Sequence, residues 1–382
     1  MSADCRAVIV DEIRRGGPVT VARFMELALY HPAHGYYARA ARRSGRDGDF
    51  FTSVDVGRVF GELLAVQLGE MWRVLATDGS AVCDLVEAGA GNGQLAADVL
   101  DTAATRDPDF YDSISLCLVE RSPAARAAQP GVLGTHGPKL TSSRSALPDR
   151  IDGILYANEL LDAMPTHVVV MRDRLREVYV DWDDHELVER EDVPSTCELE
   201  AYLERLSVAL QPGWRAEINL QAADWVEDAA GRLDRGFLVL IDYGHHAQEL
   251  YASPHSAGTL TTFRRHVTGT GYARDETCVW LEDPGSVDMT SHVDLTTVQR
   301  RAEAAGLETL AVLDQTYFLL GLGLADRLAQ HGGDGVAALK ARLALKTLMM
   351  PGGLGSVQKV MIFAKGVGRP RLRGCGDKVR VT

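Results

Sequence analysis

Val86-Glu87-Ala88-Gly89-Ala90-Gly91-Asn92-Gly93-Gln94-Leu95 decides the fold. An apolar run, Val82 to Val86, leads into it, and a helical pattern, Gln94 to Leu100, leads out. A strand that turns on alternating glycines into a helix brings bare backbone against a nucleotide-like ligand. Glycine takes dihedrals that side chains forbid and adds no bulk where the ligand approaches. The helix then offers its unpaired first N–H groups.

The spacing narrows the ligand. A dinucleotide fingerprint wants its third glycine one place after Gly93, where this chain has Gln94. It also wants an acid about 20 residues on, whereas the acid after the second strand, Glu120, comes later. This weighs against a nucleotide-dependent oxidoreductase. No Gly-Lys-Ser/Thr follows, so the turn is not a P-loop. The remaining good fit is an S-adenosylmethionine (SAM) site. There Gly89, Gly91 and Gly93 pass under the ribose and amino-acid parts. Glu120, ending the next strand, accepts from the ribose hydroxyls, and Glu87 faces the sulfonium and ammonium. Cationic groups call for carboxylates rather than lysines. The plain alternative is an ordinary strand-to-helix turn with solvated acids.

Outward from the turn, short apolar strands alternate with helices. Strand 82–87, helix 93–104, strand 114–119, helix 123–129 and strand Ile151 to Ala157 form the series, and Phe237 to Ile241 adds another strand. This pattern predicts a parallel sheet covered on both faces. Residues 166–190 alternate as antiparallel strands, with helices at 198–210 and 221–233. Helix 295–305 precedes strand 307–313, helices follow at 317–329 and 336–348, and the last strand is Val357 to Ala364. Helix 317–329 reads as core or as the surface of a homodimer. Before the turn, residues 3–15, 20–30 and 56–76 read as amphipathic helices.

Composition is that of a soluble globular protein: 46% hydrophobic and 24% charged. The net charge of −13 argues against a general nucleic-acid binder. The six cysteines form no C-x-x-C pair, and the eleven histidines form no H-E-x-x-H or similar pair, so no metal site is read. No run approaches a membrane span, and residues 1–23 hold no sustained apolar block. A cytoplasmic location is the expectation.

In order along the chain, several segments resemble the MidA-like methyltransferases. They are Phe24 to Pro32 with Gly35-Tyr36-Tyr37, Gly48-Asp49-Phe50-Phe51-Thr52-Ser53, Phe60 to Leu63, Glu87 to Gly93, and Val119 to Pro123. They continue with Ala157 to Pro165, Ile241-Asp242-Tyr243-Gly244, Gly258-Thr259-Leu260 and Thr290 to Asp294. The family usually has Pro and Arg where this chain has Ala90 and Asn92, and Ser-Pro-Glu where it has Ser53-Val54-Asp55. Mitochondrial members are complex I assembly factors that dimethylate an arginine on a partner subunit. The resemblance implies a SAM-dependent methyltransferase acting on a protein nitrogen, with arginine as one candidate. A non-catalytic assembly factor on the same fold is the rival.

The implied fold is Rossmann-like α/β of the class I methyltransferases, with a seven-stranded sheet whose last strand is antiparallel. A helical cap and lid segment would occupy 1–80 and the SAM-binding core 81–366. Insertions would fall at about 166–235 and 245–295, and a basic flexible tail at 367–382. Asp49, Thr52 and Ser53 would form a lid edge at the cofactor. Asn158 and Glu159 follow a strand at the ligand-binding edge, where an amide and carboxylate orient a nitrogen nucleophile, with Asp162 as a second acid. Tyr243, Arg264, His266, His292 and Asp294 are candidates for the substrate side.

Overall fold

The computed structural model describes residues 4–39, 57–77, 82–264, 267–270, 279–330 and 357–376. Its central sheet comprises β1 (Cys83–Ala88), β2 (Ile114–Val119), β3 (Leu140–Arg144), β4 (Ile151–Asn158), β5 (Leu233–His245), β6 (Glu308–Asp314) and β7 (Gln358–Lys365). The strand order is β3-β2-β1-β4-β5-β7-β6, and the two-residue strand Val293–Asp294 adds to β5. β1 to β5 are parallel, and β7 runs antiparallel to both β5 and β6. The chain leaves β1 toward β2 and β3, then crosses back to β4 on β1's other side. That reversal opens a crevice beyond the carboxyl ends of β1 and β4.

The period of two sorts the strand residues between two cores. Cys83, Leu85, Leu116, Leu118, Ile154 and Tyr156 point into one. Val86, Ala88, Cys117, Val119, Leu155 and Ala157 point into the other. The helices are α1 (Cys5–Gly16), α2 (Val21–Tyr30), α3 (Val59–Ala76), α4 (Gln94–Arg106), α5 (Pro123–Leu133), α6 (Leu220–Arg232) and α7 (Leu295–Ala304). α3 and α4 cover the first face through Phe60, Leu64, Leu95 and Val99. α6 and α7 cover the second through Val226, Ala230, Leu295 and Val298.

Packing divides the first 80 residues differently from the expected cap. α3 belongs to the methyltransferase-type core, whereas α1 and α2 lie on an inserted antiparallel sheet. That sheet joins Val19–Thr20, Leu175–Trp182, His167–Met171 and Arg215–Ile218, with Leu187–Asp192 on the side of Leu175–Trp182. Ile9, Phe24, Met25 and Leu29 meet Val168, Val170, Val178 and Val180 there. Trp280, fully buried, sets its ring edge-on to Phe24 at 5.2 Å.

Two further readings change. Helix 317–329 is broken into Gln315–Gly321 and Leu324–Gln330, and Phe318 and Leu319 are core residues. The expected helix 336–348 lies outside the described residues. The tail is not loose as far as Gly376: Leu372 joins the core, and the Gly374 amide donates to Gln67 Oε1 at 2.9 Å. Burial of an apolar side chain and a paired amide outweigh the local glycine and arginine content. No helix among the described residues is long and apolar enough to cross a membrane.

Candidate functional site

Gly89, Gly91 and Gly93 all have positive φ, at 72°, 52° and 86°. A Cβ on Gly89 would stand 3.1 Å from Leu160 Cδ1, and one on Gly93 would stand 3.1 Å from Leu118 Cδ1. The positive φ therefore favours glycine at both, and a side chain would also have to displace a leucine. The turn is clamped from two sides. The Gly91 amide donates to Glu120 Oε2 at 3.0 Å, and Gln129 Nε2 donates to the Gly91 carbonyl at 2.9 Å. Ser143 Oγ orients Gln129 by donating to its Oε1 at 2.6 Å.

A cleft of about 290 Å³ opens beyond β1, β2 and β4. Ala88, Gly89, Val119 and Glu120 form its floor, and Leu147, Leu160, Met164, Pro165 and Trp225 give apolar walls. Tyr30 and Tyr37 close one side. Tyr30 Oη donates to the Ala163 carbonyl at 3.0 Å and carries the Arg121 guanidinium 4.4 Å above its ring. Glu120 accepts from the Gly91 amide and, at 2.7 Å, from the Ser122 amide. A carboxylate has about four acceptor positions, so two remain for a diol. Asn158 Oδ1 is buried and receives no hydrogen bond. Such an acceptor calls for a donor from a ligand. An apolar slot, a diol acceptor and an unmet acceptor at the switch point fit the parts of SAM.

Glu87 corrects an expectation. Strand alternation turns it away from the cleft, into the core beneath α4, where it is 4% exposed. It accepts from Tyr156 Oη at 2.9 Å and from the backbone near Ala96. Burial raises its carboxyl to about 8, partly offset by those two bonds. Glu87 braces the turn from below rather than facing the cationic groups directly.

The far side of the crevice is acidic. Glu159 lines the cleft with φ +52°, a conformation that costs a non-glycine residue about 1 kcal/mol or more. Its amide donates to the Ile241 carbonyl at 2.8 Å. Its Oε1 accepts from Gln358 Nε2 at 2.6 Å and from Asn158 Nδ2 at 3.3 Å. Asp162 is buried behind it and hydrogen-bonded to Asp242. Burial, then the neighbouring Asp242 and Glu159, push Asp162 well above the usual carboxylate range. Asp242 rises only to about 6, because amides of Leu161, Tyr243 and Leu160 counter its burial. Burial therefore holds both carboxyls of the pair above the usual range, Asp162 the further. Tyr243 is raised by burial and by Glu159, Asp162 and Asp242, so it stays a neutral phenol.

The other substrate-side candidates divide. Asp294 is no cleft residue: it caps α7, accepting from the Thr296 amide at 2.9 Å, and takes Tyr202 Oη at 2.8 Å. Its Asp-Leu-Thr-Thr context fits an N-cap. Arg264 ends the strand Thr261–Arg264. Asp49, Thr52, Ser53 and His266 lie outside the described residues. His292 gathers with His245 and His255, their ligating atoms within 4.8 Å of one another, although no sequence spacing signals it. Burial and the two neighbouring rings lower His292 to about 4. Sequence reasoning also passed over Gln129, Gln358, Trp225 and Asp242. Only Asp242, inside the Asp-Tyr-Gly stretch closing a strand, carried a signal.

Comparison with known proteins bears on this geometry. Residues 63–313 match the model of a family described as S-adenosyl-L-methionine-dependent methyltransferases. Human mitochondrial protein arginine methyltransferase NDUFAF7 is 29% identical over 345 residues, 83% of this chain and 73% of the relative. The Danio rerio protein of the same name is 29% identical over 367 residues, 88% of this chain and 80% of its own. A crystal structure from Burkholderia thailandensis, bound to S-adenosyl-homocysteine, superposes with a TM-score of 0.85. It is 29% identical, and the match covers 98% of this chain and 94% of that one. A second, native structure from that organism gives a TM-score of 0.83 at 27% identity, covering 98% of this chain and 94% of that one. The chain belongs to this family of Rossmann-like methyltransferases and is a SAM-dependent enzyme.

Proposed function

We propose that the protein transfers a methyl group to a nitrogen of a protein side chain, with arginine as the acceptor. The observation that carries this reading is Glu159, held in a left-handed conformation at the switch point with the buried Asp162–Asp242 pair and the Tyr243 phenol behind it. A guanidinium stays protonated in water. To attack, one of its nitrogens must regain a lone pair. Glu159, pinned by Gln358 and Asn158, would pair with the guanidinium, hold its charge away from the attacking nitrogen and draw off its proton. Asp162, Asp242 and Tyr243 would shape the acidic wall that favours a cationic side chain. The net charge of −13 suits a basic protein segment better than a nucleic acid. The relatives named as protein arginine methyltransferases support the same acceptor.

On the donor side, Gly89, Gly91 and Gly93 would carry the amino-acid and ribose parts, Glu120 the ribose hydroxyls and Asn158 Oδ1 the ammonium. Bound SAM supplies an electrophilic methyl on sulfur. With SAM in place, Glu159 would take the acceptor's proton as the nitrogen gains the methyl and the sulfur is released as a neutral thioether. Alignment is the main contribution the protein makes to such an in-line displacement.

The test is methyl labelling of proteins from a deletion strain by purified enzyme, read by mass spectrometry against wild-type cells. Arginine-methylated peptides that depend on the enzyme are expected. Glu159→Gln should lower kcat at least about 100-fold, with SAM affinity within threefold. Label confined to small molecules, or to lysine, would overturn the acceptor assigned here.

A further inference from the structure

Three histidines converge beside the acceptor wall, far apart in sequence. His245 ends β5. His255 closes the short turn Ser253–His255. His292 precedes the two-residue strand that pairs with β5, where Gly244 faces Val293 and His245 faces Asp294. We propose that His245, His255 and His292 bind a divalent transition-metal ion of the zinc class, leaving a fourth position open.

The backbone that presents the rings is fixed. The His292 amide donates to Thr259 Oγ1 at 3.0 Å, and Thr259 Oγ1 in turn donates to the buried Glu217 at 2.9 Å. The rings themselves are packed: His245 lies 4.8 Å from His255 and 5.2 Å from His292, centroid to centroid. Two features point to a ligand rather than to mere packing. His255 Nδ1 lies 3.0 Å from the Glu249 carbonyl. Donation there fixes the tautomer that leaves Nε2 with its lone pair, the usual outer arrangement of a metal-bound histidine. His292 Nδ1 is buried and meets no hydrogen-bond partner. An unsatisfied buried nitrogen within a cluster of three imidazoles is costly while the cluster is neutral and empty. A protonated ring there would face burial and its neighbours. A cation shared by the three lone pairs relieves both.

The donor set selects the ion. Three neutral imidazoles suit zinc, nickel, copper or ferrous iron, whereas magnesium and calcium want oxygen. Tetrahedral zinc with nitrogen ligands at about 2.0–2.1 Å sets those nitrogens about 3.4 Å apart. In the present structure the three ligating atoms already lie within 4.8 Å of one another. Glu249 Oε2 lies 3.7 Å from His245 Nδ1, near enough to orient that ring or to take the fourth position. The Lys359 ammonium, which also bears on His245, is paired with Asp314. The ion would tie the end of β5 to the segments around 255 and 292. These are neighbours of Tyr243 and of Ser291, whose amide donates to the Asp162 carbonyl at 2.9 Å. Its place is thus next to the acceptor side without entering the donor cleft.

The experiment is a titration of chelator-stripped full-length protein with Zn²⁺ against a chromophoric chelator, and with Co²⁺ followed by visible absorption. One equivalent of zinc and a tetrahedral cobalt spectrum are expected. His255→Gln lies on a surface turn and should fold normally, yet it should weaken zinc at least about 100-fold, more than outer-shell losses do. The variants His245→Ala and His292→Ala should behave alike, and His185→Ala, on an exposed turn, should not. Absence of stoichiometric zinc binding overturns the proposal. So does zinc binding that survives His255→Gln with unchanged affinity and cobalt spectrum.

Discussion

Glu87 keeps a proton near neutral pH because its position beneath the glycine turn removes it from water. Its folded value, about 8, stands above that of an unfolded glutamate. The folded state therefore binds more protons between roughly pH 4.5 and 8, and stability falls as pH rises through that window. Glu87→Gln keeps an acceptor for Tyr156 and removes the titration. It should stabilise the fold at pH 8.5 by on the order of a few kcal/mol, read as a higher melting temperature, and leave the melting temperature unchanged at pH 4. A SAM sulfonium and ammonium across the turn would favour the carboxylate and expel the proton. Calorimetry at pH 7.5 in two buffers of different ionisation enthalpy should show proton release by the wild type and none by Glu87→Gln. Equal release by both would place the titrating group elsewhere.

The turn between β1 and α4 is where one element hands the ligand to the next, and its glycines differ in what they touch. Gly89 lines the cleft and abuts Leu160, another cleft residue. Gly93 abuts Leu118 and Gln129, on the core side. Alanine at either place costs about 1–2 kcal/mol for the left-handed backbone, plus displacement of a neighbour. Gly89→Ala should raise the SAM dissociation constant at least about tenfold, since Leu160 yields into the binding space. Gly93→Ala should lower the melting temperature comparably while SAM affinity changes only a few-fold. Equilibrium dialysis and thermal unfolding on the same preparations separate the two. The elements themselves show what a sequence displays. β1, β2, β4 and β5 read clearly because parallel strands buried on both faces are runs of Val, Leu and Ile. β3, Leu-Thr-Ser-Ser-Arg, escaped notice because it is an exposed edge strand whose side chains need not be apolar. Gln129, in mid-helix, and Gln358, at the start of β7, escaped because a polar residue declares its role only through a partner remote in sequence.

At the scale of the molecule, two packing units meet at the cleft. The sheet with α3, α4, α6 and α7 carries the glycine turn, Glu120 and Glu159. The inserted sheet with α1 and α2 carries Tyr30, which closes the cleft. Trp280 keys that second unit, so Trp280→Ala should cost about 3–5 kcal/mol. Hydrogen exchange should quicken in residues 5–30 and 167–180 while β1 and β4 stay protected. Uniform loss of protection would mean that the units unfold as one. This division was only partly legible. The insertion at 166–190 announced itself by alternation, but nothing local shows that α1 and α2 rest on it rather than on the central sheet. The same holds for the acidic wall: Glu159 and Asp162 stood in a recognisable stretch, yet their coupling to Asp242 arises only when β4 and β5 pair.

The contact between Phe24 and Trp280 also sets a timetable. The two residues are separated by more than half of the chain, so the N-terminal helices leave the ribosome well before their partners exist. At 5–20 residues per second, α1 and α2 wait on the order of 10–50 s for Trp280 to be made. Until Val168, Val170, Val178 and Val180 follow, Ile9, Phe24, Met25 and Leu29 present an unpaired apolar face during synthesis, and the edge at Phe24 stays open until Trp280 is made. Slowing elongation lengthens their exposure to chaperones and to aggregation.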